Sequence, residues 1–345
     1  MVKLRLDGNV YNLPGSLTKF QQEMYVHLIN HKWNSLGINE RGKYKYKGEE
    51  IKYDAILPKS VHIGLPLIYG PIKEAFIKHQ KQFHFKLHTH FYHMASSQAA
   101  DVNLFLPIIH SGKANEVLCQ IKKDFKSLET TILDNGYQIE FWGGTGNETG
   151  LLGDHNVRSG TDSEIALAYR NHKDELCLWL IEHKLTEKEF TECGGYKSDN
   201  RVKAKHECEK SFAEILENKN LCYYHDVRKS SYWKITENYQ TFFKNHSLQT
   251  SCPFKGGMNQ LWRNQLLGLA LENEKLYKHV YFSVVKHPEN KSLDKSISQY
   301  QELIDNDTRF SAFDSSEVVK AANSLNDEKL DRWVKWFCDL YKIEI

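Results

Sequence analysis

The strongest constraint on this chain is a nine-residue run, Leu176–Lys184, apolar for its first six positions and ending in Glu182-His183-Lys184. Such a run fits a buried strand with a charged end. Side chains two apart on a strand share a face, so Leu176, Leu178, Leu180, Glu182 and Lys184 lie together and His183 points the other way. A second run, Glu164–Tyr169, carries Ile165, Leu167 and Tyr169 on one parity. The polar break Asn171-His172-Lys173-Asp174 between the runs predicts a hairpin. Asp162 then falls opposite residue 182, 183 or 184. An even register puts it on the face of Glu182 and Lys184, and an odd one turns it away. A three-residue loop gives the even register, Asn171 suits its left-handed position, and we adopt that register.

The rest of the chain supplies context. Residues 95–109 predict a helix opening on Ser96-Ser97, with Pro107 limiting its far end. Tyr137–Trp142 alternates as a strand. Met258–Leu271 has helical spacing, His279–Val285 is apolar on both faces, and residues 291–345 read as helical. In residues 1–94, Lys43-Tyr44-Lys45-Tyr46-Lys47 alternates as a strand with one wet face. His84, His88, His90 and His93 read as ordinary histidines before metal ligands. Residues 185–255 are polar and Lys-rich, without a clear period. The element order is helix, three strands, insertion, helix, strand, then helices, an α/β core.

Composition excludes several classes. The 345 residues are 40% hydrophobic, enough for a sizeable core and too many for a disordered chain. A net charge of +2 neither demands nor excludes nucleic acid, because acidic metal ligands offset a basic groove. No run approaches the ~20 apolar residues of a membrane helix, and the start lacks a signal-peptide core. A cytoplasmic protein with no membrane partner is expected.

Acid-x-Lys triplets recur in the chain, as in Glu50-Ile51-Lys52 and Glu217-Asn218-Lys219, so context must single one out. Glu182 and Lys184 on a rigid strand end, with Asp162 from the neighbouring strand, would repel as two carboxylates unless a cation sat between them. Hard oxygen ligands suit Mg²⁺ or Mn²⁺, with Lys184 holding the attacking water or offsetting phosphate charge. The plainer alternative is a structural ion pair.

Asp162, nineteen residues, then Glu182-x-Lys184 resembles the PD-(D/E)XK nuclease superfamily, with Thr161 where the motif has Pro. Ser96-Ser97-Gln98 with Asn103 and Phe105, the run Ile181–Glu187, and Asn259-Gln260-Leu261 with Arg263-Asn264 are similar to a bacterial group of restriction endonucleases. The resemblance covers roughly residues 90–285. It implies a restriction-endonuclease-like αβββαβ core, a mixed sheet flanked by helices. Residues 1–94 would be an N-terminal extension packed on the core. Residues 95–345 would be the nuclease domain, with the Cys-bearing insertion 185–255 and the helical tail 291–345. It implies Asp162 and Glu182 as metal ligands, Lys184 as the catalytic lysine and Gln260 as an auxiliary glutamine. The first helix offers Gln98, Asp101 and Asn103, and Glu164 is a further acid on the parity of Asp162.

Two other signals bear on ligands. Residues 143–150, Gly143-Gly144-Thr145-Gly146-Asn147-Glu148-Thr149-Gly150, lack the Gly-Lys-Ser/Thr of a phosphate loop and read as a connection. Cys193, Cys208, Cys222 and Cys252 all fall in the insertion; they suit a Zn²⁺ or iron–sulfur site, with His206 and His225 as alternative ligands, or remain unliganded.

The reading is a Mg²⁺-dependent endonuclease acting on DNA in restriction or anti-phage defence. Lys188, Lys197, Arg201, Lys203 and Lys205 are its phosphate contacts, and a homodimer would supply double-strand cleavage. The alternative is a non-catalytic nucleic-acid-binding module or assembly subunit on the same fold.

Overall fold

The computed structural model describes residues 2–46, 48–144, 149–156, 160–198 and 206–345. Lys47, residues 145–148 of the glycine-rich run, Arg201, Lys203 and Lys205 lie outside the described residues. The N-terminal part contains β1 (Val2–Leu6), β2 (Asn9–Leu13), α1 (Lys19–Asn34), β3 (Gly42–Tyr46), β4 (Glu49–Tyr53) and α2 (Lys73–Phe83). Then come α3 (Ser97–His110), α4 (Ala114–Ile121), β5 (Phe125–Leu128), β6 (Tyr137–Phe141), β7 (Ser163–Asn171) and β8 (Leu176–Lys184). Short helices α5 (Phe212–Glu217), α6 (Tyr223–Asp226) and α7 (Tyr232–Asn238) follow. The chain closes with α8 (Met258–Asn273), β9 (His279–Lys286), α9 (Asp294–Leu303), β10 (Phe310–Asp314), α10 (Ser315–Asn323) and α11 (Glu328–Tyr341).

The result is a mixed α/β fold around one central sheet. Its strand order is β10-β9-β8-β7-β5, with β6 also paired to β7. β7 is antiparallel to β5, β6 and β8, while β8, β9 and β10 run parallel. Strand parity sorts side chains into two cores. Ile165, Leu167, Trp179 and Ile181 pack with α3, α11 and part of α1. Ala166, Ala168, Leu178 and Leu180 pack with α8 and the aromatic side chains of the insertion.

The β7–β8 ladder runs from Ile165 opposite Ile181 to Arg170 opposite Leu176, an even register. The Asn171 N–H donates to the Glu175 carbonyl at 3.1 Å, leaving a three-residue loop. Its left-handed residue is Asp174, at φ 59°, not Asn171. Asn171 instead accepts the Lys173 and Glu175 N–H groups on its side chain, an Asx-type brace for the turn.

Two other expectations are corrected. Pro107 lies inside α3 and does not limit it. A proline there cannot donate to the Asn103 carbonyl. The Trp333 indole N–H donates to that carbonyl at 2.7 Å, which lets the helix continue. The tail is not wholly helical, because β10 adds a fifth main-path strand beside β9. Residues 84–93 form no strand: His84 caps α2 at φ 51°, and the segment turns into α3. Lys43–Tyr46 is a strand as expected, paired with β4. Among the described residues, no helix is long and apolar enough to cross a membrane.

His93 sits in the turn before α3. Its Nδ1 accepts the Ala95 N–H at 3.0 Å, which requires an unprotonated nitrogen. Burial, with His90 adding to it, pulls its pKa down to about 4. A lowered histidine contributes stability that is present above its ordinary value near 6.5 and is lost as pH falls toward 4. His93→Gln keeps an acceptor without titrating. Urea denaturation between pH 7 and pH 4 is expected to show an acid-side loss smaller by up to roughly 3 kcal/mol in this variant.

Candidate active site

The even face of β8 delivers Glu182 and Lys184 side by side, and the Lys184 ammonium donates to Glu182 Oε1 at 2.9 Å. Glu182 is 3% exposed, so its carboxylate needs partners in place of water. Helix α8 supplies two, spaced four residues apart on one face. Gln260 Nε2 donates to Glu182 Oε1 at 2.7 Å, and Asn264 Nδ2 donates to Oε2 at 3.0 Å. Gln260 also accepts the Thr191 N–H at 3.1 Å, tying the start of the insertion to the site. The ammonium of Lys184 is held protonated: burial works against its charge, but the carboxylates of Glu182, Glu187 and Glu164 outweigh it.

Extending the ladder one pair beyond Ile165–Ile181 puts Glu164 level with Glu182. Glu164 Oε2 accepts the His183 N–H at 3.2 Å. Burial pushes its carboxyl well above the usual range, with Glu182 and Asp101 adding to the effect and Lys184 opposing it. Asp101, on α3, is 1% exposed, and neither of its oxygens has a hydrogen-bond partner. Burial, then Glu182 and Glu140, push it well above the usual carboxylate range. Glu140 on β6 completes the group. Burial and the nearby Asp162 raise it to about 8, against the hydrogen bond it takes from Gln98. Glu182 and Glu164 thus face the Lys184 ammonium, and Asp101 and Glu140 stand beside Glu182.

Asp162 stands just before β7 and is 30% exposed on its side chain. Its Oδ1 pairs with His155 Nε2 at 2.7 Å. Burial disfavours charge on that imidazole, but the hydrogen bond to Asp162 outweighs it and raises the pKa. The His155 ring stacks on Trp142 at 4.1 Å. A Cβ at Gly160 would stand 2.2 Å from the ring, so only glycine fits beside it. The structure therefore brings Glu182, Lys184 and Gln260 into one hydrogen-bonded group, and sets Asp162 at its rim beside Glu140.

Other expected residues take other places. Asn103 is structural, holding the Leu67 carbonyl, the Tyr69 N–H and the Tyr341 hydroxyl. Lys188 donates to the Ser16 carbonyl, and Lys197 pairs with Glu192. His183 faces α3 beside Ser97, and burial takes it down to about 3. His206 pairs with Asp226 at 2.8 Å. The four insertion thiols gather around one small cavity. Glu140 was missed by the sequence reading, and a backbone feature explains why. Tyr137 and Ile139 join one core and Phe141 the other, with Glu140 between them at φ 51°. That left-handed residue, rare in a strand, breaks the parity that pattern reading assumes.

Among the described residues, no three His, Cys, Asp or Glu side chains already stand where they could hold a metal ion. The donor chemistry nonetheless fits a hard divalent cation. The oxygens are carboxyl oxygens, both Asp101 oxygens are buried and unpartnered, and a cation would favour the charged form that burial and neighbouring acids now disfavour at Asp101, Glu140 and Glu164. An ion would have to draw these side chains inward.

The model of a family described as "Restriction Endonuclease associating with ARP" matches residues 30–342. No curated protein and no solved structure matches the chain. The unpartnered Asp101 carboxylate has a direct consequence for stability. Asp101→Leu is expected to stabilise the metal-free protein by about 1–2 kcal/mol, because it replaces an unpartnered buried acid with an apolar side chain. It should also shrink the stabilisation gained from added Mg²⁺. Urea denaturation with and without Mg²⁺ measures both effects.

Proposed function

Since the chain belongs to the family described as Restriction Endonuclease associating with ARP, we propose that it is a metal-dependent endonuclease that hydrolyses DNA phosphodiester bonds in restriction or anti-phage defence. One observation carries the reading: the buried carboxyls of Asp101 and Glu182 and the half-buried carboxyls of Glu140 and Glu164 gather with the Lys184 ammonium at one sheet end. The order of elements supports a PD-(D/E)XK core: helix α3, antiparallel β6, β7 and β8, helix α8, then β9 parallel to β8.

On this reading Glu164 and Glu182, with Asp101 from α3, hold Mg²⁺ or Mn²⁺, and Asp162 is an outer acid beside Glu140. A bound ion supplies charge neutralisation at the scissile phosphate and acidifies the attacking water. Lys184, fixed in its charged form, donates to the phosphate or orients that water. Gln260 and Asn264 hold Glu182 in one rotamer, and His155 holds Asp162. One such site cuts one strand, so double-strand cleavage calls for two copies of the chain. The family's description adds ARP as the partner.

A second reading has its own support. Both Glu182 oxygens are already filled by Lys184, Gln260 and Asn264, as in a closed structural network. In that case the chain binds nucleic acid without cutting it.

Cleavage assays separate the two. Plasmid DNA, single-stranded DNA and RNA are incubated with full-length protein in Mg²⁺, Mn²⁺ or EDTA. The enzyme reading expects metal-dependent DNA cutting, lowered at least about a hundredfold in Lys184→Met and Glu182→Gln with folding and DNA binding retained. Because Glu164 is level with Glu182, Glu164→Gln should cost more activity than Asp162→Asn. Wild-type protein that binds but cuts nothing would leave the module as the answer.

A further inference from the structure

We propose that Cys193, Cys208, Cys222 and Cys252 form a tetrathiolate site for a single structural Zn²⁺ that clips the insertion onto α8. The four residues are separated by 14, 13 and 29 positions in sequence and contain no Cys-x-x-Cys pair. The fold nevertheless brings all four to one enclosed cavity of ≈ 20 Å³. Three of the thiols feel their neighbours: Cys252 is pushed up by burial and by Cys222, Cys193 and Cys208, Cys193 by burial and by Cys222 and Cys208, and Cys222 by burial and by Cys208. All four are free thiols, with no disulfide between them.

A second observation points to thiolates. N–H donors are aimed at three of the sulfurs. Cys193 Sγ accepts the Tyr196 N–H at 3.4 Å. The nearby Tyr224 and His225 N–H groups favour charge on the Cys222 sulfur, and the Phe254 N–H on the Cys252 sulfur, in both cases against burial. The chain thus turns back toward the Cys193, Cys222 and Cys252 sulfurs two or three residues on. Such donors favour the charged sulfur and offset the surplus negative charge of a metal–thiolate centre. The Trp233 indole N–H is buried without an oxygen or nitrogen acceptor and faces Cys222.

The chemistry selects the ion. Four soft thiolates in a closed site with no open position suit structural Zn²⁺. The cavity admits one atom-sized occupant, not a four-iron cluster. Binding breaks four S–H bonds, forms four Zn–S bonds and releases four protons to solvent, with no change of oxidation state. The sulfurs are not yet at ligating distances, so the ion draws them inward over the cavity. His206 is engaged by Asp226 and stands outside the ligand set. Trp262 of α8 lines the same cavity and stacks on Phe254 at 4.1 Å, so the clip fastens the insertion to the helix that carries Gln260 and Asn264. The inference stands apart from the nuclease reading, because it is read from metal content alone.

The test is elemental analysis and native mass spectrometry of the full chain, purified without chelator from zinc-supplemented medium. The expected result is one zinc per chain, no visible absorption and little iron. Mercurial titration should release that zinc in step with four thiols, and the chelated protein should become sensitive to protease within residues 206–252. Cys222→Ser should lose at least half of the zinc, while Cys119→Ser, exposed and remote from the cluster, keeps it. Should Cys222→Ser fail to fold, the mercurial titration of wild-type protein decides. Wild-type protein without stoichiometric metal overturns the proposal. So does a disulfide among these four residues, or iron with acid-labile sulfide.

Discussion

The carboxylate of Glu182 organises the sheet end on which everything else depends. It is nearly dry, and an ionised carboxylate there is stable only if donors replace its water. Those donors come from two elements: Lys184 from β8 itself, Gln260 and Asn264 from α8. Their bonds set the position of α8 along the sheet and, through the Thr191 N–H on Gln260, the path by which the chain leaves β8. An apolar residue at 182 would remove the need for that arrangement. A buried acid with three donors is therefore a specification of geometry before it is a source of stability.

Parity was the most legible property of the sequence. It could be read because each face of β7 and β8 meets a separate apolar core, so a one-residue slip would reverse both. The level of each acid was not legible. The ladder shows Ile165 as its last paired residue, and beyond it Asp162 follows His155 and the chain path around Gly160, not the pleat. Pro107 misled because a local rule was overridden by Trp333, more than two hundred residues away. β10 was too short, at five residues, to stand out against the helices around it. The Asp7-Gly8 turn between β1 and β2 was an available hairpin signal, with φ values of 46° and 78° in the fold, that the sequence reading did not use.

The insertion lacks a period for a physical reason. Its helices are four to seven residues long, too short to present an amphipathic stripe. Its cohesion comes from aromatic side chains, with Trp233, Phe254 and Trp262 packed on one another. Contacts of this kind leave no repeat in sequence, and neither do four widely spaced cysteines. Only the folded chain brings the cysteines together.

The carboxyl excess gives the final step. A fold selected for stability alone has no use for Asp101 buried without a partner, nor for Glu140 in a left-handed conformation that costs roughly 1–3 kcal/mol. Both residues sit on the site end of elements whose other ends are deep in apolar cores: α3 carries Leu104 and Phe105 at 0% exposure, and β6 carries Ile139 at 0%. The cores supply the stability that the site gives up. Strain and an unpartnered buried acid that persist at one end of an otherwise consistent fold mark where that fold is built to receive something, and a group of hard oxygens is built to receive a cation.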